Sequence, residues 1–302
     1  MPELTEPPLT PADLGFSPRD DGSWRKSLGG QTVSFRPLRR IAELLPLEAL
    51  QRQIFGVSEH DLAAASLLVS VPETGGEVIG AFGAPDDAPL LGFVIGWGGY
   101  YQRRPRLLSD MLGVDPRHRN LGLGAELKRL QAAVTLAAGI SEIVWTVDPL
   151  RASNAWLNHE KLGAIADRYQ ENRYGETFGA GLYGGLPTDR LHVSWHLRDP
   201  RVHDRLLGRT QPTATTDLLS LPSYHPGLVE PRATVPLPAD VDALLGRDPA
   251  AVAVWRERHR ALLPRAFADG YAIRGAVRDR RRDEAAFLLE RSPPFTPPGD
   301  AP

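Results

Sequence analysis

The chain has 302 residues, 42% of them hydrophobic, a formal net charge of −2 and no cysteine. That is apolar material for one large domain or two small ones. The near-neutral charge leaves no electrostatic footprint for nucleic acid or an anionic membrane, and the missing thiols exclude disulfides, cysteine nucleophiles and cysteine-ligated zinc. No apolar run is long enough to span a bilayer, and residues 1–20 are proline-rich and acidic rather than basic then apolar, so the expected location is the cytoplasm.

In chain order, residues 1–30 read as an irregular arm. Residues 32–38 alternate as a strand, and helical segments follow around 46–55 and 60–70. Residues 77–84 and 90–100 read as a hairpin turned at Pro85-Asp86-Asp87-Ala88-Pro89. The apolar run 107–114 reads as a strand. The helix after it places Leu123, Leu127, Leu130, Val134 and Ala138 on one face. A strand at 142–147 and a short helix at 154–162, ended by Gly163, come next. Residues 169–185 are rich in tyrosine and glycine with little periodicity, 191–197 alternate as a strand, and 199–230 read as a connection. Helices are expected at 239–245 and 249–268, the second with an apolar stripe suited to a core. Segments 271–277 and 284–289 flank Arg278-Asp279-Arg280-Arg281-Arg282-Asp283, which reads as a solvated hairpin tip rather than a nucleic-acid patch. The tail 292–302 is expected to be disordered. The domain organisation expected is an arm (1–30), a main α/β domain (31–200), an α/β extension (201–291) and the tail (292–302).

The segment Val114-Asp115-Pro116-Arg117-His118-Arg119-Asn120-Leu121-Gly122-Leu123-Gly124 joins a strand to a helix. Glycines let such a turn approach a ligand closely, and the unpaired N–H groups of the helix start point at an anion. A Walker loop would need Gly-Lys-Ser/Thr, whereas Gly124 is followed by Ala125 and Glu126. A dinucleotide fold spaces its glycines differently and sits near the start of a βαβ unit. The pattern also suits a purely structural role, in which Gly122 and Gly124 permit close packing of helix on strand.

Val-x-Pro-x-x-Arg-x-x-Gly-x-Gly on a strand-to-helix turn resembles the acyl-CoA-binding motif of the GNAT superfamily of N-acyltransferases. Trp145-Thr146-Val147-Asp148-Pro149-Leu150, Asn154-Ala155-Trp156-Leu157-Asn158, Lys161-Leu162-Gly163-Ala164 and Leu186-Pro187-Thr188-Asp189-Arg190 resemble a long bacterial branch of that superfamily. Some members of the branch are succinyl-CoA:amino-acid N-succinyltransferases associated with N-succinylamino acid racemases. The resemblance is strong over about residues 32–200 and weak beyond. It implies an α/β (α+β) fold with a mixed, mostly antiparallel sheet, flanking helices and a splayed strand pair. It also implies acyl-CoA as co-substrate (succinyl-CoA or acetyl-CoA), no metal, a small amine or amino acid as acceptor, and a homodimer.

By the same resemblance Leu112, Gly113 and Val114 contact pantetheine, and Arg119, Asn120, Leu121, Gly122, Leu123 and Gly124 hold the pyrophosphate. Asn154, Asn158 and Lys161 are carried over to the cofactor arm, although Asn154 also suits a helix N-cap. Many GNAT enzymes place a tyrosine acid four residues before the glycine of the last helix; here that position is His159, which also suits an exposed helix end. Asp110, before the expected splay, and Asp148, at the end of the next strand, are candidate bases, each with a structural alternative. Arg151, Arg173 and Arg190 are candidates for binding an acyl or amino-acid carboxylate, since guanidinium suits that geometry. Asp189 beside Arg190 also suits a structural ion pair. A peptide α-amine titrates near ~7.7–8.0 against ~10.4 for lysine, and a free amino acid lies only somewhat above the former; a site without a conspicuous base therefore leans towards amino acids.

Overall fold

The computed structural model describes residues 8–84, 88–119, 121–175, 186–211, 220–279 and 283–291. The expected turn at 85–87, Asn120, residues 176–185, the centre of the connection (212–219), the arginine tip 280–282 and the tail 292–302 lie outside the described residues. The chain forms two compact units. The first contains Met1–Trp145, Thr177–Gly185 and Ser194–Thr210; the second contains Thr146–Glu176, Leu186–Val193 and Gln211–Pro302.

In the first unit the strands are β1 (Ser17–Pro18), β2 (Trp24–Leu28), β3 (Gln31–Pro37), β4 (Glu77–Phe82), β5 (Leu90–Tyr101), β6 (Arg104–Val114) and the start of β7 (Glu142–Val147). They lie side by side in that order, antiparallel except for β6 and β7. The sheet is mixed and mostly antiparallel, as expected. The segment expected to be an irregular arm instead supplies β1 and β2. Its signal was the Gly29-Gly30 pair, which takes φ of 56° and 81° in the two-residue turn where Leu28 faces Gln31.

Helix α1 (Ile41–Phe55) starts earlier than the expected 46, because the Glu43 carboxylate accepts the amides of Arg39 and Arg40 at 3.2 and 3.1 Å. Of the helix expected over 60–70, only α2 (Ala65–Leu68) forms. Helix α3 (Leu123–Ala137) buries Leu123, Leu127 and Leu130 of the expected stripe; Val134 is half-buried, and Ala138, just past the helix end, is exposed. Helix α4 (Ala152–Ala155) belongs to the second unit. Helix α5 (Pro200–Leu206) lies in what read as connection; the Asp199 side chain accepts the Arg201 amide at 2.8 Å and Pro200 opens the helix.

The second unit runs, side by side, β9 (Arg190–His196, of which 190–193 belong here), β8 (Ile165–Gln170), β11 (Tyr271–Asp279), β12 (Glu284–Arg291) and β10 (Arg232–Leu237). Strand β10 was missed because prolines interrupt its pattern. Among the described residues its strand ladder is with β12 alone, with a single bridge from Ser223 to Thr234 beside it, so Pro236 is tolerated. Helix α4 continues into a π-helical turn, Trp156–Lys161. Helices α6 (Val241–Arg247) and α7 (Pro249–Ala268) are capped by Asp240 and Asp248, which accept the amides of Ala243 and Ala251 at 3.1 and 3.0 Å. No described helix is long and apolar enough to cross a membrane.

Two ionisable groups sit under the sheet of the first unit. Burial pushes Lys128 down to about 7 and Glu77 up to about 7, while Glu77 accepts a hydrogen bond from Thr135 at 3.2 Å. Between its ordinary 4.5 and about 7, folded Glu77 keeps a proton that the unfolded chain has lost, so its contribution to stability falls as pH rises through that window. Glu77→Gln should therefore leave the melting temperature unchanged at pH 4 and raise it at pH 8, measured by thermal denaturation at both values.

Candidate functional site

In the first unit the parallel ladder between β6 and β7 consists of Leu107 facing Ile143 and Leu108 facing Val144, and then stops. Strand β6 continues to Val114 without a ladder partner on that side among the described residues, which leaves its backbone groups open. On the other side β6 stays paired with β5, with a bulge: Gly96 faces Ser109 and Ile95 faces Met111. Asp110 is the extra residue. It is exposed, and its carboxylate accepts the Trp97 indole N–H at 3.3 Å. The candidate base thus stands where the strand edge becomes free.

The end of β6 leads into the anion turn. Buried Asp115 accepts the Arg117 amide at 2.9 Å and its guanidinium at 2.7 Å, and these bonds hold its carboxyl at about 2. That shapes the tight turn Pro116–His118 and leaves Arg119 exposed. Gly122 takes φ 76° and caps α3, and the amides of Ala125 and Glu126 both donate to its carbonyl. The amides of Leu121, Gly122, Leu123 and Gly124 have no acceptor among the described residues. Glu126 would repel an anion there, but Lys26 at 2.5 Å and Arg129 at 3.0 Å neutralise it.

The geometry separates the two readings of the glycines. A Cβ on Gly124 would lie 3.7 Å from Leu112 Cδ2 and Val114 Cγ2, which is ordinary contact. Close packing therefore does not require glycine at 124. Gly122 is required by its backbone conformation. Leu112 and Val114 lie towards the start of α3, and Gly113 packs on Phe93, where a Cβ would come within 2.7 Å of the ring. Asn120 lies outside the described residues.

In the second unit several nominated residues have other work. Both oxygens of buried Asp148 are taken by Arg256, at 2.7 and 3.1 Å, and one also accepts the Leu150 amide. Burial works to raise the Asp148 carboxyl, but the Arg256 guanidinium outweighs it and holds it below its ordinary value. A carboxylate so occupied is a structural ion pair and a poor base, which corrects its nomination. His159 is 1% exposed rather than at a wet helix end. Its Nδ1–H donates to the Ala164 carbonyl at 2.7 Å, and burial pushes the ring down to about 4. The ring is neutral at pH 7, with Nε2 bare, so it has no proton for a leaving group. That corrects the second nomination.

Asn154 lies within α4, whose N-cap is Arg151; it is a half-buried helix residue rather than the cap. Asn158 is buried, and Lys161 is exposed with its ammonium 4.8 Å from the Trp156 ring. Arg151 pairs with Asp242 at 2.8 Å. Arg190 is 3% exposed, donates to the Asp189 carbonyl and lies 5.1 Å from the Tyr174 ring. Arg173 is exposed, bonded to Gln170 at 2.8 Å. The ion pair of Asp189 is not with its neighbour: Arg260 grips it at 2.7 and 2.8 Å, and Tyr169 donates to it at 2.6 Å. Arg256 and Arg260 carry no local signal, being helix arginines whose partners are distant in sequence.

No family model matches the sequence, and no curated protein matches it. Among solved structures the chain is similar to a GNAT-family acetyltransferase from Streptococcus pneumoniae, with 17% identity and a TM-score of 0.42 over 54% of this chain and 98% of that one. A GNAT-family acetyltransferase from Elizabethkingia anophelis with acetyl-CoA bound gives 13% identity and a TM-score of 0.40, covering 54% and 97%. An IAA acetyltransferase from Bacillus cereus gives 13% identity and a TM-score of 0.39, covering 54% and 99%.

The structural role of the Asp148 pair has a measurable consequence. Arg256→Met strands a buried carboxylate, a change that costs about 3–5 kcal/mol in comparable pairs. Chemical denaturation should show a loss of that size.

Proposed function

We propose that this chain is an acyl-CoA-dependent N-acyltransferase of the GNAT type. The observation that carries the reading is the continuity, within the first unit, of a free strand edge with a turn of free amides. A coenzyme A molecule presents the matching chemistry in the same order. Its pantetheine arm has amides that pair with a strand edge, and its pyrophosphate suits the amides of residues 121–124 at the positive end of α3. The neutralised Glu126, and the lack of any packing need for glycine at 124, support the same assignment.

The chemistry needs a neutral amine, a site for the developing oxyanion and a thiolate leaving group. Asp110, exposed at the bulge, takes the amine proton directly or through water. Backbone donors of β6 beyond the bulge face the thioester carbonyl. A dedicated acid is dispensable, because a thiol with a pKa near ~8.5 leaves readily. For the acyl group and acceptor we favour transfer of succinyl from succinyl-CoA to the α-amine of an amino acid, D-configured or hydrophobic residues included, in a ternary complex. Of the three arginines named for a carboxylate, Arg173 of the second unit is the exposed one. Acetyl transfer to a small amine or a protein amine is the competing specificity, and a binding module without turnover is the competing class.

Gly124→Ala should keep the melting temperature and weaken CoA binding by about tenfold or more in titration calorimetry, because the added methyl stands the pyrophosphate off amides whose charged hydrogen bonds contribute ~1.5–3 kcal/mol each. Asp110→Asn should lower kcat by about 10²-fold or more while leaving CoA affinity unchanged. Initial rates with succinyl-CoA and acetyl-CoA over a panel of D- and L-amino acids and peptides decide the specificity. Consumption of acetyl-CoA alone overturns the succinyl assignment, and no turnover with any pair leaves the binding-module class.

A further inference from the structure

Lys128 is one of three lysines in the chain, and it is 3% exposed. Its ammonium donates to Ser109 Oγ and Gln131 Oε1, both at 2.8 Å, and Ser109 Oγ donates to the same Gln131 oxygen at 2.9 Å. It lies 4.0 Å from the Trp145 ring centroid and 5.4 Å from that of Trp195, two indoles in edge-to-face contact with each other. Glu77, on β4, is the charged group that acts on it electrostatically. An ammonium out of water is costly, and an apolar side chain would fill this position at less expense. Neither the anion turn nor Asp110 makes use of it.

Its location does. The last two residue pairs of the β6–β7 ladder are Leu107 with Ile143 and Leu108 with Val144. If the ladder continued, the next pair would be Ser109 with Trp145. The ammonium of Lys128 engages both members of that first unformed pair. Lys128, on α3, thus ties Ser109 of β6 to Trp145 of β7 through its own side-chain contacts at the point where the ladder ends.

We propose that Lys128 is a positioning residue for the acyl carrier: by holding Ser109 and Trp145 through its own contacts it fixes β6 and β7 in their forked arrangement and so keeps the β6 edge open for pantetheine. The inference rests on the acyl-CoA reading of the fork. It separates two parts of the ligand, because the anion turn binds the pyrophosphate through backbone amides that Lys128 does not touch.

The experiment is titration calorimetry of the full chain with CoA and with 3′-phospho-ADP, which lacks the pantetheine arm. Lys128→Met should weaken CoA by about tenfold, equivalent to ~1.4 kcal/mol, and leave 3′-phospho-ADP affinity unchanged. Ser109→Ala should show a smaller loss with the same selectivity, and it decides the matter if Lys128→Met does not fold. Unchanged CoA affinity overturns the inference while sparing the acyl-CoA reading. Equal weakening of both ligands also overturns it, because a general loss of structure would do that. A wild-type chain that binds neither ligand overturns the acyl-CoA reading itself, and the inference with it.

Discussion

The interruption of the β6–β7 ladder after Leu108 and Val144 is the constraint on which the candidate site depends. A parallel pair in the middle of a sheet normally satisfies its backbone groups along its whole length. Here one strand runs on to Val114 without a ladder partner on that side and turns directly into a helix whose first amides have no acceptor, among the described residues. Unpaired backbone of this kind is tolerated only where something other than the chain satisfies it. The bulge at Asp110 and the buried ammonium of Lys128 lie at the point where the ladder ends, so the fork is built by side chains as well as by register.

Charge is handled differently in the two units. The anion turn uses almost no side-chain charge of its own: Asp115 is consumed by Arg117, and Glu126 by Lys26 and Arg129. What remains is the exposed Arg119, the dipole of α3 and a row of N–H groups, which together suit a polyanion. The second unit buries its charges as paired arginines and aspartates, Arg256 with Asp148 and Arg260 with Asp189. Such pairs fix geometry at the expense of desolvation. They explain why carboxylates that look chemically available in the sequence are not.

Much of the first unit was legible from local pattern. The apolar stripe of α3, the strand before it and the glycine turn between them are all short-range features, decided by periodicity and by the φ that only glycine accepts readily. The failures have physical causes as well. Strand β1 is only two residues long, and in β2 the inward position is taken by Lys26, which reads as polar, although Gly29-Gly30 marks the turn after it. Strand β10 was missed because prolines interrupt its pattern. The short helix after β7 was recognised, but not the π-helical turn that carries His159 into the interior.

The sequence by itself determined the strand-to-helix turn at Gly122, because its conformation is set by local residues and needs no distant partner. It also determined which residues could ionise. Only the tertiary structure decided which of them remain available. Asp148 is silenced by an arginine 108 positions away, Asp189 by one 71 positions away, and His159 by its burial. Lys128 becomes a tie between β6 and β7 only because α3 lays it across Ser109 and Trp145. A side chain's protonation and reach follow from its neighbours in space, and those neighbours are set by packing rather than by local sequence.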